Sequence, residues 1–117
     1  MHFELSDDQK MIRDTVRTFV RKELPVERMR KLRSDALGYS KEIWQQMGEL
    51  GWLGIMFPDK LGGFGGHFVD AALIVEEFGS TLVSEPYIAS VVLAGKALEL
   101  AGDEAQQQSF LAPMLAG

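Results

Sequence analysis

Four features of the chain carry residue types that could do chemistry. The densest is the run from Gly51 to Gly66, where an apolar stretch breaks at Pro58 and ends in Gly62-Gly63-Phe64-Gly65-Gly66. A glycine-rich loop ahead of a helix can aim backbone amides at a phosphate. A dinucleotide fingerprint needs G-x-G-x-x-G after a strand. Gly63 and Gly65 satisfy its first two positions, but the third falls on Phe68, and the Gly-Lys-Ser/Thr of a P-loop is absent. The spacing therefore favours a structural connection that places its neighbours.

The second feature is the pair Glu76-Glu77, a natural candidate for acid/base work. Adjacent residues on a helix point roughly 100° apart, so the two cannot share a proton or flank one bond. One is expected to be buried and paired, the other solvated. The third is the pair of imidazoles, His2 and His67. Neither has a second ligand at metal-binding spacing, no Ser-His-Asp set can be assigned around them, and His67 reads as a helix-start or surface residue. The fourth is Ser84, Tyr87, Ser90, Ala94 and Gly95, small or polar positions along an otherwise apolar stretch. Such positions either leave room for an elongated apolar ligand or let helices pack closely; spacing alone leaves both open, with packing the simpler account.

These residues must be positioned by helices. Ser6-Asp7-Asp8-Gln9 is a capping box, with Leu5 placed to act as a staple, and Ile12, Val16, Phe19 and Val20 recur behind it at helical spacing. That helix should stop near Pro25, and residues 26–36 hold one short helix. Ser40 can cap a third, with Ile43, Trp44, Met47 and Leu50 as its stripe and Gly51 as its stop. A fourth pattern ends at Gly79. Ser84-Glu85-Pro86 opens a fifth, apolar or small from Tyr87 to Ala101 and so expected to be buried on most sides. Asp103-Glu104-Ala105-Gln106 opens a sixth, with Phe110, Leu111, Met114 and Leu115 inward. Leu53 to Phe57 could be extended but has no partner strand. The expectation is an all-α domain of about six helices over residues 1–117, an orthogonal or up-down bundle without internal repeats.

Composition narrows the function classes. The length suits one small domain, and the absence of cysteine removes disulfides and thiolate metal sites. A cytoplasmic location fits. No apolar run approaches the roughly 18 residues of a membrane span, and the first residues lack a signal-peptide layout. Residues 1–35 carry net charge +2 and residues 36–117 carry −7. The cluster Arg28, Arg30, Lys31 and Arg33 reads as a solvated face, since nucleic-acid binding normally comes with a basic domain. The last residues, Leu115-Ala116-Gly117, carry no polar tail, as if the chain were cut from something longer.

The order of several motifs adds what spacing cannot. Ser6-Asp7-Asp8-Gln9 with Arg13 and Phe19, then Glu49-Leu50-Gly51-Trp52-Leu53-Gly54 through Pro58 to Gly65, then Ala71-Ala72-Leu73-Ile74-Val75-Glu76-Glu77-Phe78-Gly79, and finally Ala101-Gly102-Asp103-Glu104-Ala105-Gln106-Gln107 lie in sequence. Together they resemble the N-terminal helical domain of flavin-dependent acyl-CoA dehydrogenases. Ser84-Glu85-Pro86-Tyr87 with Val91-Val92-Leu93-Ala94-Gly95 is similar to a bacterial branch that includes partner subunits of two-subunit enzymes.

The resemblance implies a longer oxidoreductase with middle and C-terminal domains, FAD, an acyl-CoA substrate, an electron-transfer acceptor, and homo- or hetero-oligomers. It places the catalytic glutamate and most flavin contacts outside this chain, so no catalytic residue is expected here. It also implies that the helix from Tyr87 lines the acyl cavity, with Tyr87, Ser90, Val91 and Ala94 as the candidate substrate-binding residues. The alternative it leaves open is a non-catalytic assembly module. On either account apolar surface is expected to lie open around Trp52–Phe57 and the Tyr87 helix, favouring self-association.

Overall fold

The computed structural model describes residues 3–117; His2 lies outside them. Six helices form, with no strand among the described residues. Helix α1 spans Asp7–Glu23, α2 Val26–Leu32, α3 Lys41–Glu49 and α4 Phe68–Gly79. Helix α5 covers residues 87–101, wound as a wide π-helix over Tyr87–Gly95 and as an α-helix over Lys96–Ala101. Helix α6 covers residues 104–116, with π winding over Gln107–Leu111.

The helix starts follow the expected chemistry. Ser6 Oγ accepts the Gln9 amide at 3.1 Å while Gln9 Oε1 accepts the Ser6 amide at 3.0 Å. Asp103 and Gln106 exchange the same pair of bonds at 2.8 and 2.9 Å. Ser40 Oγ accepts the Ile43 amide, opening α3. Such caps satisfy amides that the first helical turn leaves without partners. Pro25 separates α1 from α2, and Gly51, at φ 80°, turns the chain out of α3.

The core joins Val16 and Val20 of α1 to Met47 of α3, Ile74 and Phe78 of α4, Tyr87 and Val91 of α5, and Leu111 and Leu115 of α6. Phe19, Trp52, Phe78 and Tyr87 form a chain of rings with centroids 5.2, 6.1 and 5.5 Å apart. The outer two pairs are edge-to-face, which suits the charge distribution of aromatic rings, and the Trp52–Phe78 pair between them is tilted at 55°.

Three expectations are corrected. Leu53–Phe57 is a series of turns, not an extended segment. Its residues, and Trp52 before them, lie at the centre of the core, none more than 9% exposed, so no apolar surface opens there. Helix α5 is not buried on most sides: Ile88 and Leu93 are 53% and 65% exposed, and Leu100 is open as well. Its core-facing residues Tyr87, Val91 and Gly95 fall on one stripe, and no element of the described chain covers the opposite side.

Candidate functional site

The glycine loop is closed on itself. The amides of Gly63, Phe64, Gly65 and Gly66 donate to the carbonyls of Pro58, Gly54, Phe57 and Ile55 at 2.8–3.1 Å. A phosphate cradle needs such amides free and convergent; here each is spent on backbone. The close approach is also what demands glycine. A Cβ on Gly63 would press into the Phe57 carbonyl and lie 2.8 Å from the Gly54 oxygen. The same bookkeeping means that this loop does not fit a flavin pyrophosphate.

Beyond the loop, His67 caps α4 in exposed position, and its amide donates to Asp70 Oδ2 at 2.7 Å. The other Asp70 oxygen accepts from Gln9 Nε2 at 3.0 Å, tying the start of α1 to the start of α4. A cleft of about 510 Å³ opens there, lined by Met11, Ile12, Leu50, Trp52, Phe64 and His67 among others.

The two adjacent glutamates part as helical geometry requires. Glu76 is exposed, and Glu77 is buried against Arg17 of α1. Arg17 Nη2 donates to Glu77 Oε1 at 2.7 Å and Nε donates to both oxygens at 3.1 and 3.2 Å. Hydrogen bonding to Glu77, then its charge, raises the guanidinium pKa above its ordinary value. The pair joins α1 to α4.

A third buried carboxylate, in addition to Asp70 and Glu77, was hidden in the sequence. Glu85 has no exposed side-chain surface, and Arg28 Nη2 donates to both its oxygens at 2.6 Å. The basic cluster is therefore not wholly a solvated face: Arg28 is turned inward while Arg30, Lys31 and Arg33 stay exposed. The available signal was an acidic residue standing among apolar neighbours with no cation near it in sequence.

The four α5 candidates separate by depth. Tyr87 is 2% exposed and its hydroxyl donates to the Trp52 carbonyl at 2.8 Å. Burial pushes that phenol's pKa up. Val91 is fully buried, Ser90 is half-buried and Ala94 is exposed. Tyr87 and Val91 thus face the core, while Ala94 faces outward.

Between α4 and α5 runs a groove of about 350 Å³, lined by Phe68, Ala71, Ala72, Val75, Ile88 and Val92, with Glu76 as its one charged lining residue. A neighbouring cleft of about 310 Å³ shares Val75 and Ile88 and extends past Phe78 and Leu82 to Tyr87. Sequence reasoning missed the α4 side of this groove. Phe68, Ala72 and Val75 recur at helical spacing on a stripe distinct from core residues such as Ile74 and Phe78. That second apolar stripe was the usable signal. The arrangement can hold a flexible apolar group between two helices.

Residues 6–117 match the family described as "Acyl-CoA dehydrogenase, N-terminal domain". The chain is 38% identical over 120 residues to "Probable acyl-CoA dehydrogenase YngJ" of Bacillus subtilis, covering 100% of this chain and 31% of that protein. It is 35% identical over 114 residues to the "Caffeyl-CoA reductase-Etf complex subunit CarC" of Acetobacterium woodii, covering 96% and 30%. Among solved structures, a chain of the ChsE4-ChsE5 complex from Mycobacterium tuberculosis superposes with a TM-score of 0.88 at 27% identity, over 99% of this chain and 32% of that one. The chain thus spans about a third of the length of the proteins it matches.

Proposed function

We propose a function from one premise: this chain belongs to the acyl-CoA dehydrogenase family, as its N-terminal helical domain. On this reading it is the first part of a longer FAD-dependent enzyme that desaturates an acyl-CoA thioester between its α and β carbons. Its own task is to furnish a wall of the acyl pocket and contacts to middle and C-terminal domains. The observation that carries the proposal is the open apolar groove between α4 and α5. An acyl chain would exchange water for apolar side chains there, gaining about 25 cal/mol for each Å² of apolar surface covered.

The four α5 residues take different parts. Ser90 and Ala94 have side-chain surface available to a neighbour, whereas Tyr87 and Val91 hold the helix in place from within. None of the residues described here is assigned to proton or hydride transfer. The glycine loop has no free amides for a flavin, so the flavin falls to the rest of the enzyme. An electron-transferring flavoprotein is the proposed acceptor, supported by the likeness to an Etf-complex subunit. A cytoplasmic enzyme fits a chain in which, among the described residues, no helix is long and apolar enough to cross a membrane.

The test compares Ala72→Phe, which fills the groove, with Ala94→Phe, which lies outside it on α5, in the full-length enzyme, measuring kcat/KM across straight and branched acyl-CoA substrates. Ala72→Phe is expected to narrow the range, and an unchanged profile removes the groove from the wall; an unchanged profile for Ala94→Phe removes Ala94 alone. A second reading, a non-catalytic partner subunit that stabilises another chain, draws support from the likeness to a two-component complex. Purification decides between them. A yellow protein that reduces its flavin on adding acyl-CoA supports the first reading; a colourless one that copurifies with an active partner supports the second.

A further inference from the structure

We infer that Glu85 is a positioning residue: clamped by Arg28 and the Ser40 amide, it fixes where the first turn of α5 stands and so sets the shape of the groove. The inference rests on the acyl-pocket reading for its functional consequence, but its structural part stands by itself. The Glu85 side chain has no solvent exposure and Arg28 has 18%. Besides the two Arg28 contacts, Glu85 Oε2 accepts the Ser40 amide at 3.3 Å. Three segments, α2, the cap of α3 and the entry to α5, therefore meet at one carboxylate.

A buried ion pair adds little net stability over well-packed apolar residues, because desolvation offsets its attraction. What it supplies is geometry: a carboxylate flanked by fixed donors has one satisfactory place. Its partners lie 57 and 45 residues away in sequence, so the cluster cannot serve a local helix cap. Two residues on, the Tyr87 hydroxyl makes a second tie to the Trp52 carbonyl. Both ties fall on the inner side of α5 and leave Ile88 exposed along the groove.

In the turn that precedes them, Val83 packs against the core and Ser80 Oγ donates to the Glu77 carbonyl at 2.7 Å, but no side chain reaches α2 or α3 through a hydrogen bond. Leu82 sits at φ 57°, a conformation unfavourable for a bulky residue. The buried hydroxyls of Thr81 and Ser84 have no protein partner. Glu85 is thus the charged anchor of the connection between α4 and α5. Because Val75 and Ile88 line both adjoining clefts, a shift of the α5 entry alters both at once.

The experiment compares Glu85→Gln, which keeps the shape and removes the charge, with Glu85→Asp, which keeps the charge. Val16→Ala, in the core of α1, controls for lost stability. Hydrogen exchange by mass spectrometry is read on residues 80–91 against α1, and kcat/KM is measured for a short straight and a bulky acyl-CoA with the full-length enzyme. Glu85→Gln should raise exchange at 80–91 at least tenfold relative to α1 and move the ratio of the two kcat/KM values at least threefold. Glu85→Asp should fall between it and the wild type and keeps the test alive if Gln prevents folding. Val16→Ala should loosen the whole domain and leave the ratio unchanged.

Uniform loosening by Glu85→Gln, as in the control, overturns the positioning role. Local loosening with an unmoved ratio overturns the link to the groove. A wild-type enzyme inactive on every acyl-CoA sinks the dehydrogenase reading instead, and the exchange comparison still decides what Glu85 positions.

Discussion

Replacing Gly63 with alanine separates a glycine loop built for close packing from one built to bind. The added Cβ would sit 2.5 Å from the Phe57 carbonyl carbon and 2.8 Å from the Gly54 oxygen. Carbon–oxygen contacts normally begin near ~3.3 Å. Both obstacles are backbone, and both oxygens already accept loop amides, from Gly65 at 2.8 Å and from Phe64 at 3.0 Å. Relief moves a carbonyl and loses about one hydrogen bond, roughly 0.5–1.5 kcal/mol, beyond an overpacking cost of about 1–3 kcal/mol. The expected loss is about 3 kcal/mol, a large share of a stability of roughly 5–15 kcal/mol.

Gly62→Ala is the matched control. Gly62 stands at φ 88° with open space where its Cβ would go. Its cost is only the left-handed backbone, about 1–2 kcal/mol, less roughly 0.4–1 kcal/mol from a less flexible unfolded chain. Urea unfolding followed by circular dichroism should give Gly63→Ala the lower midpoint by a clear margin, with an unchanged slope. Equal midpoints for the two variants would refute the close-packing account.

Two further outcomes test the interior. Because burial raises the Tyr87 pKa, the folded protein keeps a proton that the unfolded chain releases above pH 10. Its contribution is whole below that pH and is lost as pH rises, by up to about 1.4 kcal/mol per pH unit. Tyr87→Phe should cost about 1–2 kcal/mol at neutral pH, where the Trp52 carbonyl loses its donor. It should also flatten the decline between pH 10 and 11; parallel pH curves for the two proteins would contradict the phenol's role. At the other tie, Arg17→Met leaves Glu77 buried without its cation, so the melting temperature should fall, and adding Glu77→Leu should restore most of it. A double variant no more stable than the single one would show that Arg17 acts through something other than its pairing.

Local chemistry was legible in the sequence wherever a residue's partner lies within a few positions. The Ser6 and Asp103 boxes, the Ser40 cap and the Pro25 break depend on spacings of three or four, and each stands where the pattern puts it. Opposite fates for Glu76 and Glu77 follow from helical geometry alone. What stayed illegible depends on distance in the chain. Arg28 finds Glu85 across 57 residues, and nothing in either neighbourhood names the other. The Trp52–Phe57 segment failed for a related reason: its apolar residues could not be divided into covered and open ones without knowing that α1, α3, α4 and α5 close around them.

Helix α5 shows that packing on one side leaves the question of binding on the other open to experiment. An apolar helix with small residues on several sides has enough apolar surface for two jobs, and its sequence does not say which side takes which. The fold assigns Tyr87, Val91 and Gly95 to the core and leaves Ile88, Leu93 and Ala94 outside. The two roles then have separable signatures. Val91→Ala, at a site with no exposure, should lower stability by about 1–3 kcal/mol through lost burial and a cavity. Ala94→Phe adds bulk where solvent stands and should leave stability within about 0.5 kcal/mol. If Ala94→Phe changes substrate range without a change in unfolding midpoint, α5 binds with its outer side while it packs with its inner one. If both variants destabilise alike, the outer side is part of a covered interface and the wall is confined to the groove along Ile88 and Val92.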